Sequence, residues 1–344
     1  MTANRIPLAF VAFFSAVSIC AGATAQSVAE FYAGKQIRMI IRSEAGGGYD
    51  TYARLLGRHI GEHVPGKPSV VAVNMPGAGG LKAANYVATV APKDGSILTI
   101  TSQGLPMYQV LDGNNLQGDM RTFNWIGNMS SSNQVLVTWH TAPVKSVEDA
   151  RKMKSVIAAT SGGSIEVQLP TAYNYLLGTK FEIIQGYNSG TEINLAMERG
   201  EVQGRGTNPW ASYKSTKPDW VAEKKLNYII QVGLKKEADL PNVALLTDLV
   251  KGDNEKEEIA KFLTLNVMVG RPFATTPGVP KERVAALRKA YDDTIPDAAF
   301  VADATKLRAE VNSMSGEELQ SIIEQIISTP KPLLEKVKLA IETR

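Results

Sequence analysis

The sequence feature that most constrains the fold is a glycine-rich turn between an apolar strand pattern and a helical pattern. The apolar run at residues 37–41 ends just before Gly46-Gly47-Gly48, and a helical pattern begins after Tyr49-Asp50. Glycines let a backbone approach a ligand closely, and a helix N-terminus presents unpaired N–H groups and a positive dipole end. The turn therefore predicts an anion-binding site, and a plain strand-to-helix turn capped by Asp50 is the alternative.

Three further turns of this kind occur along the chain. Residues 76–80, 160–164 and 185–190 each follow a strand pattern, are rich in glycine or serine, and open a helical pattern. Turns that follow neighbouring parallel strands converge on one crevice, where open α/β sheets bind ligands. We therefore expect a clamp built from two lobes, although α/β proteins also need such turns for their connections alone.

Short β-rich runs alternate with helical patterns from residue 36 onward, which indicates α/β layers with mostly parallel strands. Strand patterns lie at 37–41, 70–73, 97–101, 135–139, 156–159, 181–184, 228–232 and 265–269. Helical patterns lie at 50–62, 80–90, 146–153, 165–177, 190–199, 281–293 and 316–327. A strand-rich block begins near residue 123, and long helices return after residue 265. We expect one lobe from residues 26–125 together with 245–344, and a second lobe from residues 126–244.

The N-terminus has the pattern of a secretory signal. Arg5 precedes an apolar stretch at residues 6–19, and Ala23-Thr24-Ala25 fits a cleavage site. We expect residues 1–25 to be removed on export to the periplasm, and a membrane anchor is the alternative. The sole cysteine, Cys20, lies inside this segment, so the mature chain needs neither a disulfide nor a thiolate nucleophile. The formal net charge of only +3 does not favour nucleic-acid binding.

Enzyme motifs fail on detail in this chain. Lys82 stands where the third glycine of a dinucleotide fingerprint belongs, and neither of the first two glycine turns continues into the Gly-Lys-Ser or Gly-Lys-Thr of a phosphate loop. His59 and His63 match the letters of one zinc-peptidase class, but Gly61 weakens their helix and Pro65-Gly66 ends it. We therefore expect no metal, no cofactor and no enzymatic activity; a periplasmic metal-dependent hydrolase that uses His59 and His63 is the alternative.

Taken as a set, these motifs resemble the substrate-binding receptors of tripartite tricarboxylate transporters, also called Bug-type receptors. The resemblance covers nearly the whole mature chain, and its matching stretches are residues 31–38, 45–56, 74–80, 91–95, 161–164, 186–190, 199–203 and 240–243. The family usually has Pro-Phe-Ala after the first strand, where this chain has Arg42-Ser43-Glu44. Arg42 is a candidate partner for an anion. Glu44 either points away from a carboxylate or faces an amine of the ligand.

The resemblance implies an α/β, two-lobed periplasmic-binding-protein fold of the type II-like, Venus flytrap kind. It implies a monomeric periplasmic receptor, not an enzyme, that captures a small organic carboxylate and delivers it to integral membrane transporter subunits. A ligand-sensing subunit of a signalling system is the other alternative, because it would use the same clamp. Aliphatic, aromatic and amino acids all stay open as ligands.

The turns and the resemblance together define a set of expected ligand-binding residues. Backbone N–H groups and hydroxyls at helix N-termini would hold the carboxylates, often through water. The expected site comprises Gly47, Gly48, Tyr49 and Asp50 around one carboxylate, Ser161, Gly163 and Ser164 at the distal end, Tyr187, Asn188 and Asn208 as side-chain contacts, and Gly79 and Ser102 along the first lobe.

Overall fold

The computed structural model describes residues 26–160 and 164–342. The strands, in chain order, are β1 (Gln36–Ile41), β2 (Ser69–Asn74), β3 (Ile97–Ile100), β4 (Asn124–Asn128), β5 (Gln134–Trp139), β6 (Ser155–Ala158), β7 (Phe181–Ile184), β8 (Gly204–Pro209), β9 (Leu226–Val232), β10 (Pro272–Thr275) and β11 (Met314–Ser315). The expected signal segment with Cys20, and the predicted site residues Ser161 and Gly163, lie outside the described residues.

Helices surround these strands. They are α1 (Val28–Tyr32), α2 (Gly48–His63), α3 (Leu81–Thr89), α4 (Leu105–Leu111), α5 (Val147–Lys152), α6 (Ile165–Leu177), α7 (Gly190–Glu198), α8 (Trp210–Thr216), α9 (Pro218–Ala222), α10 (Leu246–Leu249), α11 (Asn254–Val267), α12 (Lys281–Thr294), α13 (Ala298–Lys306), α14 (Gly316–Ile327) and α15 (Lys331–Ile341). Among the described helices, none combines the length and apolar character needed to cross a membrane.

The first sheet has the strand order β11-β4-β10-β3-β1-β2. Strand β1 is parallel to both β2 and β3, whereas β10 runs antiparallel between β3 and β4. Strand β1 lies inside the sheet, between β3 and β2, and its residues Ile37, Met39, Ile40 and Ile41 are all fully buried. The carboxyl end of β1 leads into the glycine turn, which opens α2.

The second sheet has the order β7-β6-β8-β5-β9, with β6 parallel to β7 and β8, and β5 antiparallel to β8 and β9. The expected α/β fold is thus confirmed. The expectation of mostly parallel strands is wrong, because five of the nine strand pairings among the described residues are antiparallel. The chain passes from the first sheet to the second between Asn128 and Gln134. The predicted lobe boundaries stay a prediction. Helix α15, near the C-terminus, packs on α6 beside the second sheet.

Two differences from the predicted elements bear on the site. The predicted strand at residues 265–269 is wrong, because α11 continues to Val267 with Ile259 and Leu263 buried at helical spacing, and the strand β10 begins only at Pro272. Strand β8 was not predicted, because Gly204–Pro209 lacks the apolar alternation of a strand. Both regions carry residues of the cleft described below.

Candidate ligand-binding site

A cleft lies between the two sheets, where three of the longer helices begin. The first residues of α2, α6 and α7, which are Gly48, Ile165 and Gly190, all line it. Each of these helices directs the positive end of its dipole, and the N–H groups of its first turn, to the same space. The cavity volume is about 40 Å³, so only a small molecule fits between the sheets as they stand.

Helix α2 differs from the other two in how its first turn is capped. Ser164 accepts a hydrogen bond from the Glu166 N–H at 3.1 Å and so caps α6, and Ser189 caps α7 in the same way. Gly47 occupies the N-cap of α2, and among the described residues no side chain caps this helix. The first N–H groups of α2 are therefore the donors that an anion in the cleft can use.

Six of the predicted site residues line the cleft. They are Gly47, Gly48, Tyr49, Ser164, Asn188 and Asn208. The Tyr49 hydroxyl accepts a hydrogen bond from the Gln103 N–H at 3.2 Å, which fixes the ring across the cleft wall. The structure thus brings described residues of the first, third and fourth turns together, while the role of these residues in binding stays a prediction.

Asp50 lies behind the cleft, where it holds the glycine turn in place. Its Oδ2 accepts from the Gly46 N–H at 2.9 Å, and its Oδ1 accepts from Arg54 Nε at 2.8 Å and Asn74 Nδ2 at 2.9 Å. Because both oxygens are occupied and the residue is buried, Asp50 supports the turn and does not face the cleft. The same carboxylate joins the turn to the end of β2 through Asn74.

Gly79, Ser102 and Tyr187 also lie outside the cleft lining. Gly79 is buried and adopts a φ of 64°, which turns the chain into α3. Ser102 is buried beneath that turn, and Tyr187 packs against the apolar cluster of the second sheet.

Three buried arginines dominate the charge of the cleft. Arg42, Arg205 and Arg271 line it with exposed fractions of only 7%, 6% and 3%. They follow β1, lie within β8 and precede β10, so they meet only when both sheets have formed. The sequence singled out Arg42 as a candidate anion partner, but it gave no sign of the other two.

Arg205 has a carboxylate partner inside the cleft. Its Nε donates to Glu166 Oε1 at 3.1 Å, its Nη2 makes a shorter contact with the same oxygen, and Glu166 Oε2 accepts from the Thr160 N–H at 3.1 Å. Burial alone would raise the pKa of Glu166, but the charge and hydrogen bonds of Arg205 hold this pKa below its ordinary value. The pair is therefore ionised, and neither of its charges is left over for a ligand.

Arg42 and Arg271 form no ion pair within residues 26–160 and 164–342. Their guanidinium carbons lie 4.6 Å and 4.2 Å from the centroid of the Tyr49 ring, at cation–π distance. Arg271 Nη2 donates to the hydroxyl of Ser212, whereas Arg42 Nε is buried without a hydrogen-bond partner. Burial lowers the pKa of Arg271, and a buried charge without a counterion is costly. The cleft therefore carries two positive charges that an anion would neutralise.

Each cleft arginine presses against a glycine at the start of a helix. A Cβ at Gly48 would lie 2.8 Å from Arg271 Nη2, one at Gly80 2.8 Å from Arg42 Nε, and one at Gly190 2.6 Å from Arg205 Nη2. No side chain fits between the guanidinium groups and these helix N-termini. The positive end of a helix dipole repels a guanidinium cation that lies against it. This packing therefore makes the cleft strongly electropositive until an anion is bound.

Two glutamines connect the sheets across the floor of the cleft. Gln134 Nε2 donates to Gln103 Oε1 at 3.1 Å, and Thr207 Oγ donates to Gln134 Oε1 at 3.2 Å. Gln103 Nε2 is buried and has no partner among the described residues. A second unpaired donor therefore accompanies Arg42 Nε in the cleft.

The histidine pair of the zinc-like motif lies away from the cleft. His59 Nε2 contacts Asp303 Oδ2 at 3.0 Å, and His63 Nε2 contacts Asp297 Oδ2 at 3.6 Å, which ties the end of α2 to α13. His59 is about 16 Å along the helix from Gly48. Within the described part of the chain, no group of three or more His, Cys, Asp or Glu residues is placed to hold a metal ion. Glu44 is half-buried and does not line the cleft.

Comparisons with known proteins show which sequences and folds this protein resembles. No family model matches the chain. A UPF0065 protein in the gbd 5' region of Cupriavidus necator is 25% identical over 324 residues, which are 92% of this chain and 91% of the relative. The structure of the periplasmic binding protein BugD matches with a TM-score of 0.72 and 21% identity, over 90% of this chain and 98% of BugD. The resemblance to Bug-type receptors that the sequence predicts is thus confirmed.

The fold also resembles that of a binding protein solved with a ligand. MatC from Rhodopseudomonas palustris, with bound malate, matches with a TM-score of 0.69 and 18% identity, over 88% of this chain and 99% of MatC. The expected two-lobed periplasmic-binding-protein fold is confirmed by these likenesses. The cleft between the two sheets is accordingly the cleft between the two lobes of this fold.

Proposed function

We propose that this protein is a monomeric periplasmic receptor that captures a small organic carboxylate and delivers it to the membrane subunits of a tripartite tricarboxylate-type transporter. The observation that carries the proposal is the meeting of two unpaired buried guanidinium groups with the uncapped N-terminus of α2. An anion bound there supplies the missing counterion, so binding is coupled to relief of an electrostatic cost. The malate bound to MatC supports a carboxylate as that anion.

Capture begins on the side of the first sheet. A carboxylate oxygen accepts hydrogen bonds from the first-turn N–H groups of α2 at Gly48 and Tyr49, and Arg271 adds a charge-assisted contact. The far end of the acid then meets Ser164, Asn188 and the second sheet. Because the ligand contacts both lobes, it stabilises the closed arrangement, which is the form presented to the membrane subunits.

The cleft has the character of a binding site and not of a hydrolytic centre. Both oxygens of Glu166 are engaged by Arg205 and the Thr160 N–H. His59 and His63, the residues of the alternative hydrolase, face Asp303 and Asp297 at the far end of α2. We infer that the receptor releases the acid chemically unchanged.

The proposal is tested by thermal unfolding of the mature chain from Gln26, unfolded and refolded to remove any co-purified acid. The panel contains mono-, di- and tricarboxylates, aromatic acids and amino acids, with sodium chloride at equal ionic strength as the control. A ligand at 100 times its Kd stabilises the folded state by about 2.7 kcal/mol, which raises the midpoint by several degrees. If no acid in the panel raises the midpoint above the salt control, the receptor proposal is refuted.

Delivery needs a separate assay. Membrane vesicles that contain the transporter subunits should take up the radiolabelled acid only when the loaded receptor is added. Uptake that is independent of the receptor would contradict a transport role and would favour the alternative of a sensing subunit.

A further inference from the structure

The side chains that line the cleft carry more positive than negative charges. Arg42, Arg205 and Arg271 contribute three guanidinium groups, whereas Glu166 is the sole carboxylate among the described lining residues. Glu166 is already neutralised by Arg205. Two positive charges are therefore left, and each lies in a side chain that is less than one-tenth exposed.

The two unpaired guanidinium groups contact one ring, that of Tyr49. Their guanidinium carbons lie 4.6 Å and 4.2 Å from its centroid, so the distance between them is at most the sum of these two distances. Gly48 and Gly80 allow this approach, because a Cβ at either position would lie 2.8 Å from a guanidinium nitrogen. A ligand that reaches both groups can thus be short, in keeping with the small cavity.

The unpaired hydrogen-bonding groups in the cleft are donors, which also favours an anionic ligand. Arg42 Nε and Gln103 Nε2 are buried donors without partners among the described residues. An ammonium group in this space would approach the two unpaired guanidinium groups with no free carboxylate to offset the repulsion, which is costly in a buried site. A group that only accepts hydrogen bonds meets donors on several sides.

We propose that Arg42 and Arg271 are the specificity-determining residues of the cleft, and that they select a short dicarboxylate that lacks an ammonium group. This inference rests on the proposed receptor function and names the charge class of its ligand. The two guanidinium groups supply the two counterions of the dianion. A monocarboxylate leaves one of them unpaired, and an amino dicarboxylate brings a cation into their field.

The test uses titration calorimetry with three four-carbon acids that differ in one group. Malate is the dicarboxylate, 2-hydroxybutyrate replaces one carboxylate by a methyl group, and aspartate replaces the hydroxyl by an ammonium group. The proteins are the refolded wild type, Arg42→Gln and Arg271→Gln. Arg38→Gln is the matched control, because Arg38 lies in β1 but is exposed and outside the cleft.

The wild type should bind malate at least about 10-fold more tightly than either of the other acids, since each charge-assisted contact contributes about a factor of 10 to 100. Arg42→Gln and Arg271→Gln should each lose about 10- to 100-fold in malate affinity and much less for 2-hydroxybutyrate, so that the discrimination shrinks. Arg38→Gln should bind all three acids as the wild type does.

Folding of the variants is checked by their cooperative thermal unfolding without ligand. Should either Gln variant fail to fold, the Lys variant at that position keeps the charge but loses the planar fork, and it should show an intermediate malate affinity. Equal binding of malate and aspartate, or unchanged malate affinity in both Gln variants, would overturn the inference. In that event binding of any acid still upholds the receptor, whereas the absence of binding by every acid removes both.

Discussion

Alanine at Gly48 should separate binding from stability in helix α2. A Cβ at this position would lie 2.6 Å from Ser212 Oγ and 2.8 Å from Arg271 Nη2, so these side-chain ends must move. Their displacement next to a cavity costs about as much as the gain of roughly 1 kcal/mol that alanine brings to a helix. We therefore expect the free energy of unfolding to change by less than about 1 kcal/mol. Loss of the Arg271 contact, at about 1.5–3 kcal/mol, should weaken malate binding about 10- to 100-fold.

Two other glycines of the same helix provide matched controls. A Cβ at Gly57 would meet Val70 Cγ1 at an ordinary 3.4 Å, so Gly57→Ala should stabilise the fold by up to about 1 kcal/mol. A Cβ at Gly61 would lie 2.4 Å from the carbonyl oxygen of Pro68, a backbone atom that cannot turn aside. Gly61→Ala should destabilise the fold by about 1–3 kcal/mol. Neither control should change the affinity of the folded protein for malate.

Urea unfolding and calorimetric titration measure the two quantities for all three variants. If Gly48→Ala binds malate as tightly as the wild type, the N-terminus of α2 does not form the anion site. If Gly48→Ala loses as much stability as Gly61→Ala, glycine at position 48 is needed mainly for folding and not for binding.

Three further predictions concern buried charges. The pKa of Glu166 is lower in the folded than in the unfolded state. The stabilisation by the ionised carboxylate is therefore complete above the ordinary pKa of 4.5 and is lost as the pH falls through the folded pKa. Urea unfolding in that acidic range should show this loss for the wild type, and Glu166→Gln should not show it. Asp50→Ala should lower the free energy of unfolding by about 2 kcal/mol, because three donors lose their acceptor, and an unchanged urea midpoint would contradict this. Arg271→Met should raise the unfolding free energy of the ligand-free protein by about 1 kcal/mol or more while malate binding is lost, and a lower thermal midpoint would count against an unpaired charge.

The sequence predicted those parts of the cleft that are encoded locally. A strand pattern, a glycine turn and a helical pattern follow one another over a few residues, so the turn at Gly47 and Gly48 could be recognised without tertiary information. The same holds for Ser164 and Asn188, which lie in turns of the same design. Asp50 could not be placed in this way, because its partners Gly46, Arg54 and Asn74 decide which way its carboxylate points.

Strand β8 shows why the paired arginine was missed. Gly204 and Gly206 give the segment no strand signature, yet both are required, because a Cβ would lie 2.4 Å from the Val137 and Glu166 carbonyl oxygens, respectively. Close packing of α6 on this strand brings Arg205 to Glu166.

The unpaired arginines are separated by more than half of the chain and share no motif. Arg271 lies between α11 and β10, in a region where the predicted strand at 265–269 proved to be the end of a helix. The sequence singled out Arg42 alone, since Arg42-Ser43-Glu44 departs from the Pro-Phe-Ala expected from the resemblance. Their meeting at Tyr49 is a property of the assembled sheets and not of any local pattern.

The most direct test is a crystal structure of the protein with malate. Malate should lie between the N-termini of α2 and α7, with one carboxylate within hydrogen-bonding distance of the Gly48 N–H and with guanidinium nitrogens of Arg42 and Arg271 on the ligand. Malate bound outside this cleft, or bound within it without contact to either arginine, would show that these groups do not form the binding site.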